Sequence, residues 1–176
     1  LRLFWRGGEM EDALPGDIRV SYAIDTPADQ QRLSLRKKTS PRFLLCYARG
    51  VLAVRRHGRA VVGSQIIEHG YPRFLPPPDR AYDAAVSYLE LAPAEYVATR
   101  VAAARKIAWI HIDYRQAGML PRVEERCFSR FDRIVTVSDS CTAGFAALYP
   151  AQAKKCVRID NILTAEIVRE RAALSQ

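Results

Sequence analysis

The groups with chemistry to offer stand where apolar runs end. His111 and Asp113 close the run Lys106-Ile107-Ala108-Trp109-Ile110-His111-Ile112-Asp113-Tyr114. An imidazole and a carboxylate emerging together can position a ligand and support charge that develops on it. Glu90 follows the run Tyr82-Asp83-Ala84-Ala85-Val86-Ser87-Tyr88-Leu89, Ser138 and Asp139 follow Arg133-Ile134-Val135-Thr136-Val137, and Asn161 follows Cys156-Val157-Arg158-Ile159. Each has a plainer reading beside the chemical one. His111 can be a half-buried side chain bonded to a neighbouring loop, and Asp113 a helix cap. Ser138 and Asp139 suit a helix N-terminus better than a site, Glu90 suits a solvated loop, and Asn161 suits a turn.

Apolar, partly β-branched runs of this length are expected to be strands buried on both faces of a parallel sheet, with helices as crossovers. The pattern predicts strands at Tyr82–Tyr88, Ile107–Ile112, Arg133–Val137 and Cys156–Ile159. It predicts helices from about Pro93 to Arg105, around Arg122 to Arg130, from Ser138 to Leu148 and from Thr164 onward. Strands alternating with helices imply right-handed β-α-β units. In such a sheet all the strand-end groups lie on one edge, where open α/β sheets bind their ligands. Earlier in the chain, Leu1 to Trp5 and Ile18 to Ile24 read as short strands, Asp25 to Asp29 as a loop, Ala60 to Ile67 as a short strand, and Gly70 to Arg80 as an extended loop.

Absent motifs exclude several classes. There is neither G-x-G-x-x-G nor G-x-x-x-x-G-K-[ST], so no dinucleotide fingerprint and no P-loop; G-x-S-x-G is missing, and with it the usual α/β-hydrolase elbow. No Asp-x-Asp is present to hold a divalent ion against a diphosphate, and no metal or other cofactor is expected. Cys46, Cys127, Cys141 and Cys156 form no C-x-x-C pair, which argues for reduced cytoplasmic thiols and against zinc. No apolar run reaches the ~18 residues that a spanning helix needs.

The 176 residues carry a net charge of +8, and it is concentrated. Between Asp29 and Glu68 lie nine basic residues and no acidic one, leaving 18 basic against 19 acidic residues elsewhere. Within that segment Ser40 and Pro41 open a helix. Phe43, Leu44, Tyr47, Val51 and Val54 form its apolar face, expected to pack on the sheet, and Arg42, Arg49 and Arg56 line the opposite one. With Leu45 and Leu52 beside the arginines, an anionic membrane surface fits better than nucleic acid, whose single-strand binders interleave stacking aromatics with the basic groove. A merely solvated basic face is the alternative.

The blocks Tyr82 to Glu90, Lys106 to Tyr114, Phe131 to Ser138 and Val157 to Asn161, in that order, resemble the N-terminal half of the group 1, or family 4, glycosyltransferases over about residues 82 to 170. The resemblance implies an α/β Rossmann-like parallel sheet flanked by helices, one half of a GT-B architecture in which two such domains face each other across a cleft. It implies retaining, metal-independent transfer of a sugar from a nucleotide-sugar donor to a glycan or lipid-linked acceptor. This domain would hold the acceptor and a second domain the donor. His111 matches the family's cleft histidine, close to the transferred sugar, while Glu90, Asp113, Tyr114 and Ser138 would face the acceptor. Asn161 stands where the chain crosses toward the second domain, with Ile162 in place of the glycine of the family's Asn-Gly.

The family's opening strand with its Gly-rich loop, and the donor domain with its paired glutamates, are not in this sequence. The expectation is therefore a single Rossmann-like domain over residues 1–176, a piece of a longer protein and inactive alone, with residues 160–176 leading toward the crossover. It would be a cytoplasmic enzyme, peripheral on the inner face of a membrane. A non-catalytic Rossmann-like module that holds a nucleotide sugar or a partner is the alternative.

Overall fold

A computed structural model describes residues 1–7, 11, 14–162, 169 and 173. It is an α/β molecule whose centre is a four-stranded, wholly parallel sheet of order β3 (Tyr82–Ser87), β4 (Ala103–Ile110), β5 (Arg133–Thr136), β6 (Cys156–Arg158). The register pairs Val86 with Ile107, Trp109 with Val135, and Val135 with Val157. The crossovers are α4 (Ala92–Arg100), then α5 (Tyr114–Ala117) with α6 (Pro121–Phe128), then α7 (Asp139–Leu148). This is the Rossmann-like sheet the four apolar runs imply, with β4 beginning at Ala103 rather than Ile107.

The core forms where these helices cover the sheet. Tyr114, Phe128, Phe145 and Tyr149 are fully buried and meet edge-on or tilted at centroid distances of 4.8–6.0 Å. Ile110 and Ile134 close the same core from the strands. Such aromatic pairs stabilise beyond the area they bury.

The first 80 residues depart further from expectation. β1 (Arg2–Trp5) and β2 (Ser21–Ile24) form a separate two-stranded parallel sheet. Residues 27–39 are a helix, α1 (Pro27–Thr39), opened by a capping box in which Thr26 and Asp29 bond each other's backbone amides, with Pro27 in the first turn. Ala60 to Ile67 is helical too, within α3 (Ala60–Gly70). Its short β-branched run is ambiguous by periodicity; Val62, Gln65 and His69, at helical spacing, face inward, and that burial settles the choice. A 3₁₀ turn, Tyr71–Phe74, precedes the Pro-rich loop. Of the expected helix from Thr164 onward only Arg169 and Ala173 are described, both helical; the rest lies outside the described residues.

The basic helix α2 (Pro41–His57) starts as expected, Ser40 Oγ accepting from the Phe43 amide, and stops at Gly58 with φ +64°. Its packed face is different from the expected one. Gly50 and Gly63 let α2 and α3 approach until a Cβ on either would meet the other's backbone oxygen at 3.2 Å. Phe43, Cys46, Gly50 and Val54 therefore turn inward, while Leu44, Tyr47 and Val51, expected in the core, are exposed.

Candidate functional site

At the carboxyl edge of the four-stranded sheet, each pair of neighbouring strands is tied by polar side chains. Between β3 and β4, Glu90 Oε1 accepts from the amides of His111 and Ile112, the latter at 3.1 Å. These amides emerge as β4 ends, and Glu90 supplies the acceptor that the ladder no longer does. The turn carrying it is bent by Ser87, whose hydroxyl donates to the Leu89 carbonyl at 2.7 Å, and by Leu91 at φ +60°. A left-handed leucine is strained, by about 1–3 kcal/mol for such residues, and holds where its surroundings over-determine it.

His111 is mostly enclosed, its side chain 21% exposed. Its ring lies 5.0 Å from that of Tyr88, edge to face, and its Nδ1 is 3.9 Å from Glu90 Oε1. That nitrogen is buried and has no hydrogen-bond partner among the described residues. Tyr88 is 60% exposed and also leans on Trp109 at 5.3 Å, so an aromatic surface stands in front of the imidazole.

Between β4 and β5, Asp113 caps α5: Oδ1 accepts from the amides of Arg115 and Gln116 at 3.0 and 3.1 Å, and Oδ2 from Ser140 Oγ at 2.7 Å. The Ser140 hydroxyl, and then the Gln116 amide, hold this carboxyl below the usual range. Gly144 leaves the space, since a Cβ there would collide with the Asp113 carboxylate. Ser138 caps α7, its hydroxyl accepting from the Cys141 amide at 3.2 Å. Between β5 and β6, Arg158 donates to Asp139 at 2.6 Å and to both oxygens of Asp160 at 2.7 and 3.0 Å. Asn161 follows, exposed.

The structure thus brings Glu90, His111, Asp113, Ser138 and Asn161 to one edge. It removes Tyr114 from the group: the side chain is fully buried and donates to Glu124 at 3.0 Å, so it is a core residue and cannot touch an acceptor. The helical twist that follows Asp113 as a cap turns Tyr114 inward. Tyr88, Ser140 and Arg158 join the edge unforeseen. An aromatic residue directly after a buried strand was the available signal for Tyr88, whereas the Arg158 fork depends on pairing across β5 and β6.

A second feature adjoins this edge. A cleft of about 1110 Å³ separates the two sheets, lined by β1 on one side and by β3, from Tyr82 to Leu89, on the other. Tyr96 of α4 closes its floor, bonded to Arg2 at 2.9 Å and ringed by Phe4 at 5.4 Å. Arg2, Arg19, Lys37 and Arg80 face it against Glu68 and Asp79. His111 does not line this cleft, but Tyr88 does, so the two regions meet at that ring. Among the described residues no group of three His, Cys, Asp or Glu side chains could hold a metal ion.

No protein-family model, no curated protein and no solved structure matches this chain.

Proposed function

We propose that the chain is the acceptor-side domain of a retaining, metal-independent glycosyltransferase of GT-B architecture, taking a nucleotide-sugar donor and a glycan or lipid-linked acceptor. The observation that carries this reading is the arrangement of the carboxyl edge. Four parallel strands align the blocks that carry Glu90, His111, Ser138 and Asn161 in the order of the resemblance, with an unpartnered imidazole nitrogen behind an exposed tyrosine.

The cleft supports it as well. Its walls include β1 and β3, neither bonded to the other. A basic lining suits the diphosphate of a donor. In the reaction, the bond from the sugar's anomeric carbon to the diphosphate oxygen breaks and a bond to the acceptor oxygen forms on the same face. The acceptor's proton leaves with the diphosphate. His111 would position the transferred sugar, and Tyr88 would offer it a stacking face.

A cytoplasmic location fits the four free cysteines, Cys46, Cys127, Cys141 and Cys156. Nucleic acid is no part of this reading.

One observation favours the second reading, a non-catalytic module that binds a nucleotide sugar. Glu90, Asp113 and Ser138 are all occupied with backbone amides, which leaves His111 Nδ1, with Trp109 Nε1 behind the same Tyr88 ring, as buried atoms there without a hydrogen-bond partner among the described residues. Transfer by the protein encoded by the complete reading frame, assayed over a panel of nucleotide sugars, separates the two. This chain alone is expected to transfer nothing and to bind donors weakly. Sub-micromolar donor binding by the chain alone, without turnover in the complete protein, would favour the module.

A further inference from the structure

Helix α2 is the element whose surface least suits water. Packed against α3 through Cys46, Gly50 and Val54, with Phe43 against Phe74 at 5.6 Å, it turns three rows of side chains outward, each row spaced by seven residues. Leu44 and Val51 form one, Leu45 and Leu52 the next, and Arg42, Arg49 and Arg56 the third. Leu52 is 65% exposed and Leu44 and Leu45 each 55%. Seven is close to two helical turns, so each row runs along the axis; Leu45 and Leu52 lie between the arginine row and exposed Arg55, and Leu44 and Val51 between Arg55 and Tyr47, itself 53% exposed.

The geometry points to α2 as an in-plane anchor that lays its leucines into the headgroup boundary of an anionic bilayer, with the arginines on the lipid phosphates. An apolar row flanked by cations is what a monotopic helix needs, and its charged face and low net hydrophobicity keep such a helix in the interface rather than across it. No helix among the described residues is long and apolar enough to span a membrane.

Charge chooses the occupant. None of Arg42, Arg49, Arg55 and Arg56 forms an ion pair among the described residues, and no acidic residue occurs from position 30 to 67 to neutralise them. A second copy of the chain laid on the leucines would bring arginine rows alongside each other, so self-association is opposed by the charges that attract phosphate. Nucleic acid would satisfy the arginines and leave the leucines in water. A bilayer surface satisfies both. The inference does not depend on the transferase reading, since it follows from one exposed face.

Vesicle sedimentation tests it. The chain is expected to pellet with phosphatidylcholine vesicles that contain phosphatidylglycerol, less so as salt rises, and to stay in solution with phosphatidylcholine alone. Changing Arg42→Gln, Arg49→Gln and Arg56→Gln together is expected to weaken partitioning by roughly a hundredfold. A Tyr47→Trp reporter should be quenched by brominated acyl chains, and Leu45→Gln with Leu52→Gln should abolish the quenching. All these positions are exposed, so circular dichroism of the variants should match the parent. Equal binding to neutral and anionic vesicles would overturn the inference, as would no binding to either at low salt. So would a dimer that the leucine substitutions dissociate, or oligonucleotide binding tighter than vesicle binding.

Discussion

Glu90 and His111 lie side by side, yet they should fail in different ways. The Glu90 carboxylate accepts from two half-buried amides at the end of β4, so Glu90→Ala removes the acceptor from both and should cost ~1–3 kcal/mol, read from the urea midpoint. His111 has no hydrogen bond at Nδ1 among the described residues and gives the fold its ring contact with Tyr88 and a long 3.9 Å approach to Glu90. On the transferase reading proposed above, His111→Ala should lower turnover by ~10²-fold while stability changes by less than ~1.5 kcal/mol. Unfolding at much lower denaturant with activity intact would make this histidine structural. His69 poses a separate question of pH. Burial works against its imidazolium, but Glu124 and Glu95, each 3.3 Å away, outweigh that and push its pKa up to about 9 from an ordinary 6.5. A group whose pKa rises on folding stabilises the fold fully below its unfolded value and loses that contribution as pH climbs through the folded one. Stability should therefore fall between about pH 6.5 and 9, by on the order of 3 kcal/mol. The slope in that window should vanish in His69→Gln, and a parent protein with flat stability there would show the cluster to be uncharged.

The packing of α2 on α3 turns on glycine. A Cβ at Gly63 would run into the Val54 side chain and press on the Gly50 carbonyl, so Gly63→Ala is expected to destabilise by ~1–3 kcal/mol despite its better helix propensity. Adding Val54→Ala should recover part of that loss, because the two changes share one contact. Strict additivity in thermal or urea unfolding would mean that the helices separate instead. This close approach also explains the reversed face of α2. Glycine at 50 lets the helix axis come near along the Phe43, Cys46, Gly50 and Val54 row, leaving Leu44 and Val51 outside, although a count of apolar residues includes them in one stripe. Asp25 to Asp29 reads as a loop although Thr26-Pro27-Ala28-Asp29 is a capping box, because the polar, strongly basic run after it gives no apolar period to extend into α1.

Across the whole molecule, the two sheets should differ in how tightly they hold their amides. β4 and β5 are flanked on both sides and covered by α4, α6 and α7, whereas β1 and β2 form a two-stranded pair beside the cleft. A lone pair of strands is marginal by itself. Hydrogen exchange is expected to be slowest at Ala108, Ile110, Ile134 and Val135 and markedly faster at Leu3 and Tyr22. Uniform protection across both sheets would mean that they open as one unit. The sequence by itself determined the parallel sheet and its carboxyl edge. Runs such as Ile107 to Ile110 and Arg133 to Thr136 have too much β-branched and apolar character to be exposed, and polar residues at their ends then share an edge by the geometry of parallel strands. It also determined the local caps, Ser138 and Ser40, which depend on neighbours within three residues. Only the tertiary structure decided the rest. Whether Val86 and Tyr88 are covered depends on what lies beyond β3, and that is a cleft. Whether Tyr114 faces solvent depends on Glu124 ten residues away, and which side of α2 meets water depends on a glycine in another helix. Periodicity records that a face is apolar; long-range contact determines which surface, if any, covers it.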